Sequence, residues 1–213
     1  MNQIEFLILI PSFLKAFSLN LLIAVCAMLV GSLCGFYLAN LHQSSRGIKY
    51  LAKSIILMFR NIPSFVLLFY LALIIPTQFS IANIHFEISP IAKAIFALAA
   101  PVTGFACGYF LEFKAHKKPF LLAPWNQYFI VILMASTTAS VIGVKELMST
   151  ANARIAISGD SQMVIPIYSL VALWFISCSL ILSATIKRLD KVINKRSQCK
   201  EQVANPHLDQ ESK

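Results

Sequence analysis

The sequence predicts an all-α integral membrane protein with about five transmembrane helices. Three observations carry this. Of 213 residues, 58% are hydrophobic and only 13% charged, with a mean hydropathy of +0.73, whereas a typical globular chain is roughly 25% charged. The apolar residues gather in segments of about 20, the helical length that crosses a hydrocarbon core of about 30 Å. The alternating segments of about ten residues that a membrane barrel needs are not found. Helices, which satisfy their own backbone polar groups in lipid, remain.

The same features exclude other classes. A net charge of +9 in a soluble chain would suggest nucleic acid, but here the basic residues cluster at the ends of apolar segments, as topology and lipid headgroups require. Cys26, Cys34, Cys107 and Cys178 lie inside apolar segments and Cys199 in a polar tail, without C-x-x-C spacing or a nearby His pair. Reduced thiols and no metal site are expected. Met1–Ile10 has no basic n-region and carries Glu5, so no cleavable signal peptide is expected.

Residues 1–16 predict an interfacial segment, because Pro11 and Lys15 interrupt the apolar run. The first span follows over 17–41, where Gly31 and Gly35 form a small-x-x-x-small pair able to admit a close helix, from this chain or from a second copy. A basic connection over 42–53 leads to a second span over 54–76, which contains Arg60, a candidate for snorkelling to headgroups, and Pro63. A short polar loop precedes the third span, 91–111, with Pro101, Thr103, Gly104, Gly108 and Tyr109. Helix packing and a substrate path both account for that composition.

Glu112 to Asn126, EFKAHKKPFLLAPWN, is a basic connection. The fourth span, 126–144, carries Ser136, Thr137, Thr138 and Ser140 within five residues. These hydroxyls suit a polar cavity, or return hydrogen bonds to carbonyls one turn back. A polar loop with Asn152, Arg154 and Asp160 leads to the fifth span, 164–186, and a polar, flexible tail over 189–213. The membrane-spanning body is thus 17–188. With the N-terminus outside and the C-terminus inside, the basic residues concentrate on the inner connections and tail, and only Lys15, Lys93, Lys145 and Arg154 of the 18 lie towards the outer side. That distribution satisfies the positive-inside rule.

Three motifs then resemble one family. FRNIPSFVLLFYLALIIP at 59–76 resembles F-R-G-T-P-L-L followed by an apolar run to Y-F-G-L-P. Gly108 to Glu112 resembles G-A-Y-x-x-E. PWNQYFIVILMASTTASVIGVKEL at 124–147 resembles P-x-x-N-x-x-I-x-x-L-K-D-T-S-L-A-S-V-I-G-V-x-E-L. Over about residues 12–195 the chain is similar to the permease subunits of bacterial ABC importers for polar amino acids, of the histidine, glutamine and arginine type. The implied fold is that of a type I ABC importer permease in the bacterial inner membrane. The implied partners are an ABC ATPase, a second permease subunit in a homo- or heterodimer, and a periplasmic amino acid binding protein. ATP would be bound by the partner, and the chain itself has no G-x-x-x-x-G-K-[ST] loop. It is not expected to be an enzyme.

The resemblance also assigns residues. Thr103, Ser136, Thr137 and Ser140 would line the substrate path, and Glu146 would attract a cationic amino acid or, alternatively, pair with Lys145 or Arg154 at headgroup level. Arg60, Glu112, Lys114 and Lys117 would face the ATPase. One departure stands out: the family's long E-A-A loop between the third and fourth spans is here only Phe113 to Ala123, without E-A-A or glycine. At about 1.5 Å per residue this leaves at most three helical turns and little return path. A degenerate, non-transporting scaffold or accessory subunit is therefore the alternative expectation.

Overall fold

The computed structural model describes residues 3–42, 46–61, 78–81, 84–116 and 121–204, with Pro63, Val66, Leu67, Tyr70 and Ile74 between them. Helix α1 spans Gln3–His42 and α2 spans Arg46–Asn61. A hairpin follows, β1 (Gln78–Ile81) and β2 (Ile84–Glu87), then α3 (Pro90–His116) and α4 (Leu122–Ala135). A 3-10 helix covers Ser136–Ile142, α5 covers Leu147–Ser158, a 3-10 turn covers Ser161–Met163, and α6 runs Val164–Ala204. Four described segments are long and apolar enough to cross a membrane: Ile10–His42, Pro90–Ala115, Leu122–Ile142 and Ser161–Lys191.

The predicted interfacial helix and the first span form one unbroken helix through Pro11. A proline removes one helical hydrogen bond, yet Phe13, Ala16 and Phe17 are buried, and Phe17 packs edge-on against Phe175 of α6 at 5.3 Å. Tertiary burial on that face outweighs the local defect. The predicted connection over 42–53 is also corrected, since Arg46 already begins α2. This helix is amphipathic: Ile56 is buried while Lys53 and Ser54 are exposed. It ends two residues before Pro63, as the steric restriction preceding proline favours. Of the rest of the predicted second span, from 62 onwards, only Pro63, Val66, Leu67, Tyr70 and Ile74 are among the described residues.

The predicted outer loop contains an antiparallel hairpin, in register Gln78↔Glu87 through Ile81↔Ile84. Among the described residues it is the small exception to an otherwise helical fold. Helix α3 then starts with Pro90 at its first position, where a missing N–H is harmless, and the Ser89 hydroxyl accepts from the Ala92 N–H at 3.2 Å.

The close approach of α1 and α3 explains the glycine pair. A Cβ on Gly31 would lie 2.5 Å from Val102 Cβ, and one on Gly35 would lie 2.6 Å from Ala106 Cβ. The small-residue face thus serves a helix of the same chain. Around this seam the core gathers Phe13, Ile23, Leu98, Val102, Ile132, Leu133, Leu147 and Phe175.

The predicted tail is helical as far as Ala204. No proline or glycine occurs between Lys187 and Ala204, and Lys, Arg, Leu, Glu and Gln in that stretch are strong helix formers. Helix α6 therefore continues beyond its apolar part.

Candidate functional site at the two ends of the bundle

The first candidate region is the corner between α3 and α4. Only residues 117–121 separate the two helices. Leu121 is fixed at both backbone groups: the Tyr109 hydroxyl accepts from its N–H at 2.8 Å and donates to its carbonyl at 3.0 Å. One turn deeper, the Tyr128 hydroxyl donates to the Pro101 carbonyl at 3.0 Å, and its ring stacks on Phe105 at 4.1 Å and 5°. Trp125 meets Phe105 and Tyr109 edge-on at 5.3 and 5.4 Å.

These aromatic contacts hold α4 against α3 around a cavity of about 530 Å³, lined by Pro101, Gly104, Gly108, Glu112, Pro124 and Tyr128 among others. No atom lies within 4 Å of where a Gly108 Cβ would stand, so this glycine leaves the cavity floor open. Glu112 is exposed at its edge. Lys114, expected at the ATPase face, donates to Asn40 Oδ1 at 2.5 Å and lies 5.9 Å from the centre of the Phe36 ring, both on α1. The Arg60 side chain and Lys117 lie outside the described residues.

The second region lies at the other end, where the polar run 136–140 gives way to α5. A 3-10 helix forms here because each hydroxyl returns its bond three residues back: Ser136 to Leu133, Thr137 to Met134, Thr138 to Ala135 and Ser140 to Thr137, at 2.7–2.8 Å. A 3-10 helix rises about 2.0 Å per residue, so the segment reaches further than an α-helix of equal length. Gly143, at φ 86°, ends it in a left-handed turn that a glycine adopts freely.

That turn delivers Glu146 to the N-terminus of α5 as its cap. Glu146 is fully buried, and its carboxylate accepts from the N–H groups of Met148 and Ser149 at 2.9 and 2.8 Å. A third donor comes from α1: the Asn20 amide nitrogen lies 2.9 Å from Glu146 Oε2 and 2.8 Å from Ser136 Oγ. Asn20 Oδ1 in turn accepts from the Leu147 N–H at 3.0 Å. Burial pushes the Glu146 carboxyl above its ordinary value, against the opposing pull of the Met148 N–H, the Asn20 amide and the Ser149 and Leu147 N–H groups.

The expected path residues are therefore distributed unevenly. Thr103 is buried and bonded to Ala99 O of its own helix at 2.9 Å. Ser136 and Glu146 meet in the Asn20 cluster, whereas Thr137 and Ser140 are partly exposed. Neither the corner cavity nor a second one beside α1 is lined by any of these five. The alternative pairing of Glu146 with Lys145 or Arg154 is replaced by the cap and the amide. Asn20 has no counterpart among the sequence expectations. Its signal was available: an amide inside an apolar helix requires a buried partner.

The whole chain can be set beside solved structures. It superposes on a crystal structure of an amino acid ABC transporter with histidines at a TM-score of 0.70 and 18% identity, covering 90% of this chain and 98% of that one. The chain shares the fold of that transporter chain. Neither a protein-family model nor a curated protein matches it. At 18% identity the shared property is the overall arrangement of the fold.

Proposed function

We propose that this chain is a membrane-spanning permease subunit of an ATP-driven amino acid importer in a bacterial inner membrane. The observation that carries the proposal is the near end-to-end superposition on a chain of an amino acid ABC transporter. In this reading the chain supplies half of a translocation path for a polar or cationic amino acid, and a second permease subunit supplies the other half. Thr137 and Ser140, partly exposed on the 3-10 segment, are the path hydroxyls free to face that partner. Glu146 and Ser136 act indirectly, by fixing the 3-10 segment and α5 to α1. A periplasmic binding protein delivers the substrate, and ATP is bound and hydrolysed by a partner ATPase.

The ATPase would engage the end carrying Glu112 and the α3–α4 corner. A second reading, a scaffold or accessory subunit without transport, is favoured by one feature: only five residues connect α3 and α4, far shorter than the family's E-A-A loop. The two readings separate on reconstitution. The chain is co-expressed with a candidate ABC ATPase, a periplasmic amino acid binding protein and a second permease subunit, and proteoliposomes are assayed for ATP-dependent uptake of labelled arginine, histidine and glutamine. Uptake lost on omitting this chain supports the permease. A stable complex whose uptake is unchanged without it supports the scaffold.

A further inference from the structure

The positive-inside count leaves Lys15 and Lys145 on the outer side, and the fold brings them to one cavity. It encloses about 500 Å³ beside α1 and is lined by Lys15, Leu19, Leu22, Lys145 and Thr150 among others. The two lysines are 130 positions apart in sequence, one on α1 and the other on the loop leading to α5. Both are exposed.

Three neighbouring polar groups are engaged elsewhere. The Ser18 hydroxyl donates to Lys15 O at 2.7 Å and the Thr150 hydroxyl to Glu146 O at 2.8 Å. The Glu146 carboxylate, adjacent in sequence to Lys145, is turned inward to Asn20 and the α5 N-terminus. The two ammonium groups are thus left as the donors for an incoming anion.

Below them the surface becomes apolar. Leu19, partly buried, and Leu22 follow Lys15 at i+4 and i+7, one helical face, and from Leu22 the face continues exposed through Leu29 and Leu33, each 61% exposed. Depth fits as well. Lys15 and Asn40 are separated by 25 helical residues, about 37 Å, and Asn40 holds Lys114 at the opposite end. With a hydrocarbon core of about 30 Å between the two levels, Lys15 stands at headgroup height.

We propose that this cavity binds the headgroup of an anionic phospholipid, Lys15 and Lys145 pairing with the phosphodiester while an acyl chain lies along Leu22, Leu29 and Leu33. The inference is independent of transport and needs only a membrane-embedded chain. Surface electrostatics gives about a fivefold gain in affinity per lysine, so about 30-fold for the pair.

The test uses the full chain, delipidated in mild detergent. Binding of phosphatidylglycerol, of phosphatidylcholine and of inorganic phosphate is read by native mass spectrometry and by shift of the unfolding midpoint. Expected are retained phosphatidylglycerol, little response to phosphatidylcholine or phosphate, and loss of about 30-fold in phosphatidylglycerol affinity in Lys15→Gln/Lys145→Gln. Lys15→Arg/Lys145→Arg keeps the binding, as does Arg154→Gln, a cation outside the cavity. Equal binding of both lipids, unchanged affinity in the Gln pair, or equal loss in Arg154→Gln overturns the proposal. Phosphate replacing the lipid as the stabilising ligand overturns it too, in favour of a soluble anion.

Discussion

Replacing Asn20 by aspartate probes the buried cluster most directly, because it changes one atom and reverses one interaction. The Asn20 amide nitrogen donates to Glu146 Oε2 at 2.9 Å; in Asn20→Asp a second carboxylate oxygen stands there. Two unit charges about 3 Å apart at an effective dielectric of about 20 repel by about 5 kcal/mol. The pair avoids part of this by keeping one proton, which from an ordinary carboxylate value near 4 costs about 4 kcal/mol at pH 7. A destabilisation of about 4 kcal/mol at pH 7 is therefore expected, shrinking by about 1.4 kcal/mol for each pH unit towards pH 5. The unfolding midpoint of the detergent-purified chain, followed between pH 5 and 8, measures it. Glu146→Gln in the same background restores most of the loss, since the new amide donates to the introduced carboxylate while its oxygen still accepts from an α5 N–H. An Asn20→Asp protein within about 0.5 kcal/mol of the parent at pH 8, a loss independent of pH, or no relief from Glu146→Gln refutes the reasoning.

Other outcomes follow from the same contacts. In the parent, the folded value of Glu146 lies above its unfolded value, so its protonated form stabilises the fold at low pH. That contribution fades as pH rises from the ordinary carboxylate range through the folded value, and Glu146→Gln flattens this slope in a pH series of unfolding midpoints. Gly31→Ala forces a Cβ to within 2.5 Å of Val102 Cβ and is expected to cost about 1–3 kcal/mol, whereas Gly108→Ala meets open space and leaves the midpoint nearly unchanged. Tyr109→Phe removes both hydrogen bonds to Leu121; a loss of about 1–3 kcal/mol is expected, with faster hydrogen exchange at the α3–α4 corner and little change in α1. Thr103→Val deletes only a bond within α3 and changes stability less than Ser136→Ala, which removes an acceptor of the buried Asn20 amide.

Composition and the lengths of the apolar runs were enough to establish a membrane-spanning helical protein, because lipid leaves the backbone few alternatives. The small-residue spacing of Gly31 and Gly35 marked a close helix seam, and the hydroxyl run marked a special segment in the fourth span. Element boundaries were less legible. Pro11 and the polar stretch after Asn40 look like breaks in one dimension, yet α1 continues and α2 begins at Arg46, because burial of Phe13, Phe17 and Ile56 is decided by neighbours distant in sequence.

The candidate sites divide in the same way. Sequence could name Glu146 as a carboxylate too costly to leave unpaired near lipid, since that follows from the chemistry of one side chain. Only the tertiary structure could choose its partner. The left-handed turn at Gly143 carries Glu146 inward to the α5 N-terminus and the Asn20 amide, and leaves Lys145 exposed on the cavity that Lys15 also lines. A charge's need for compensation is local, whereas the group that supplies it is set by the packing of helices 126 residues apart in the chain.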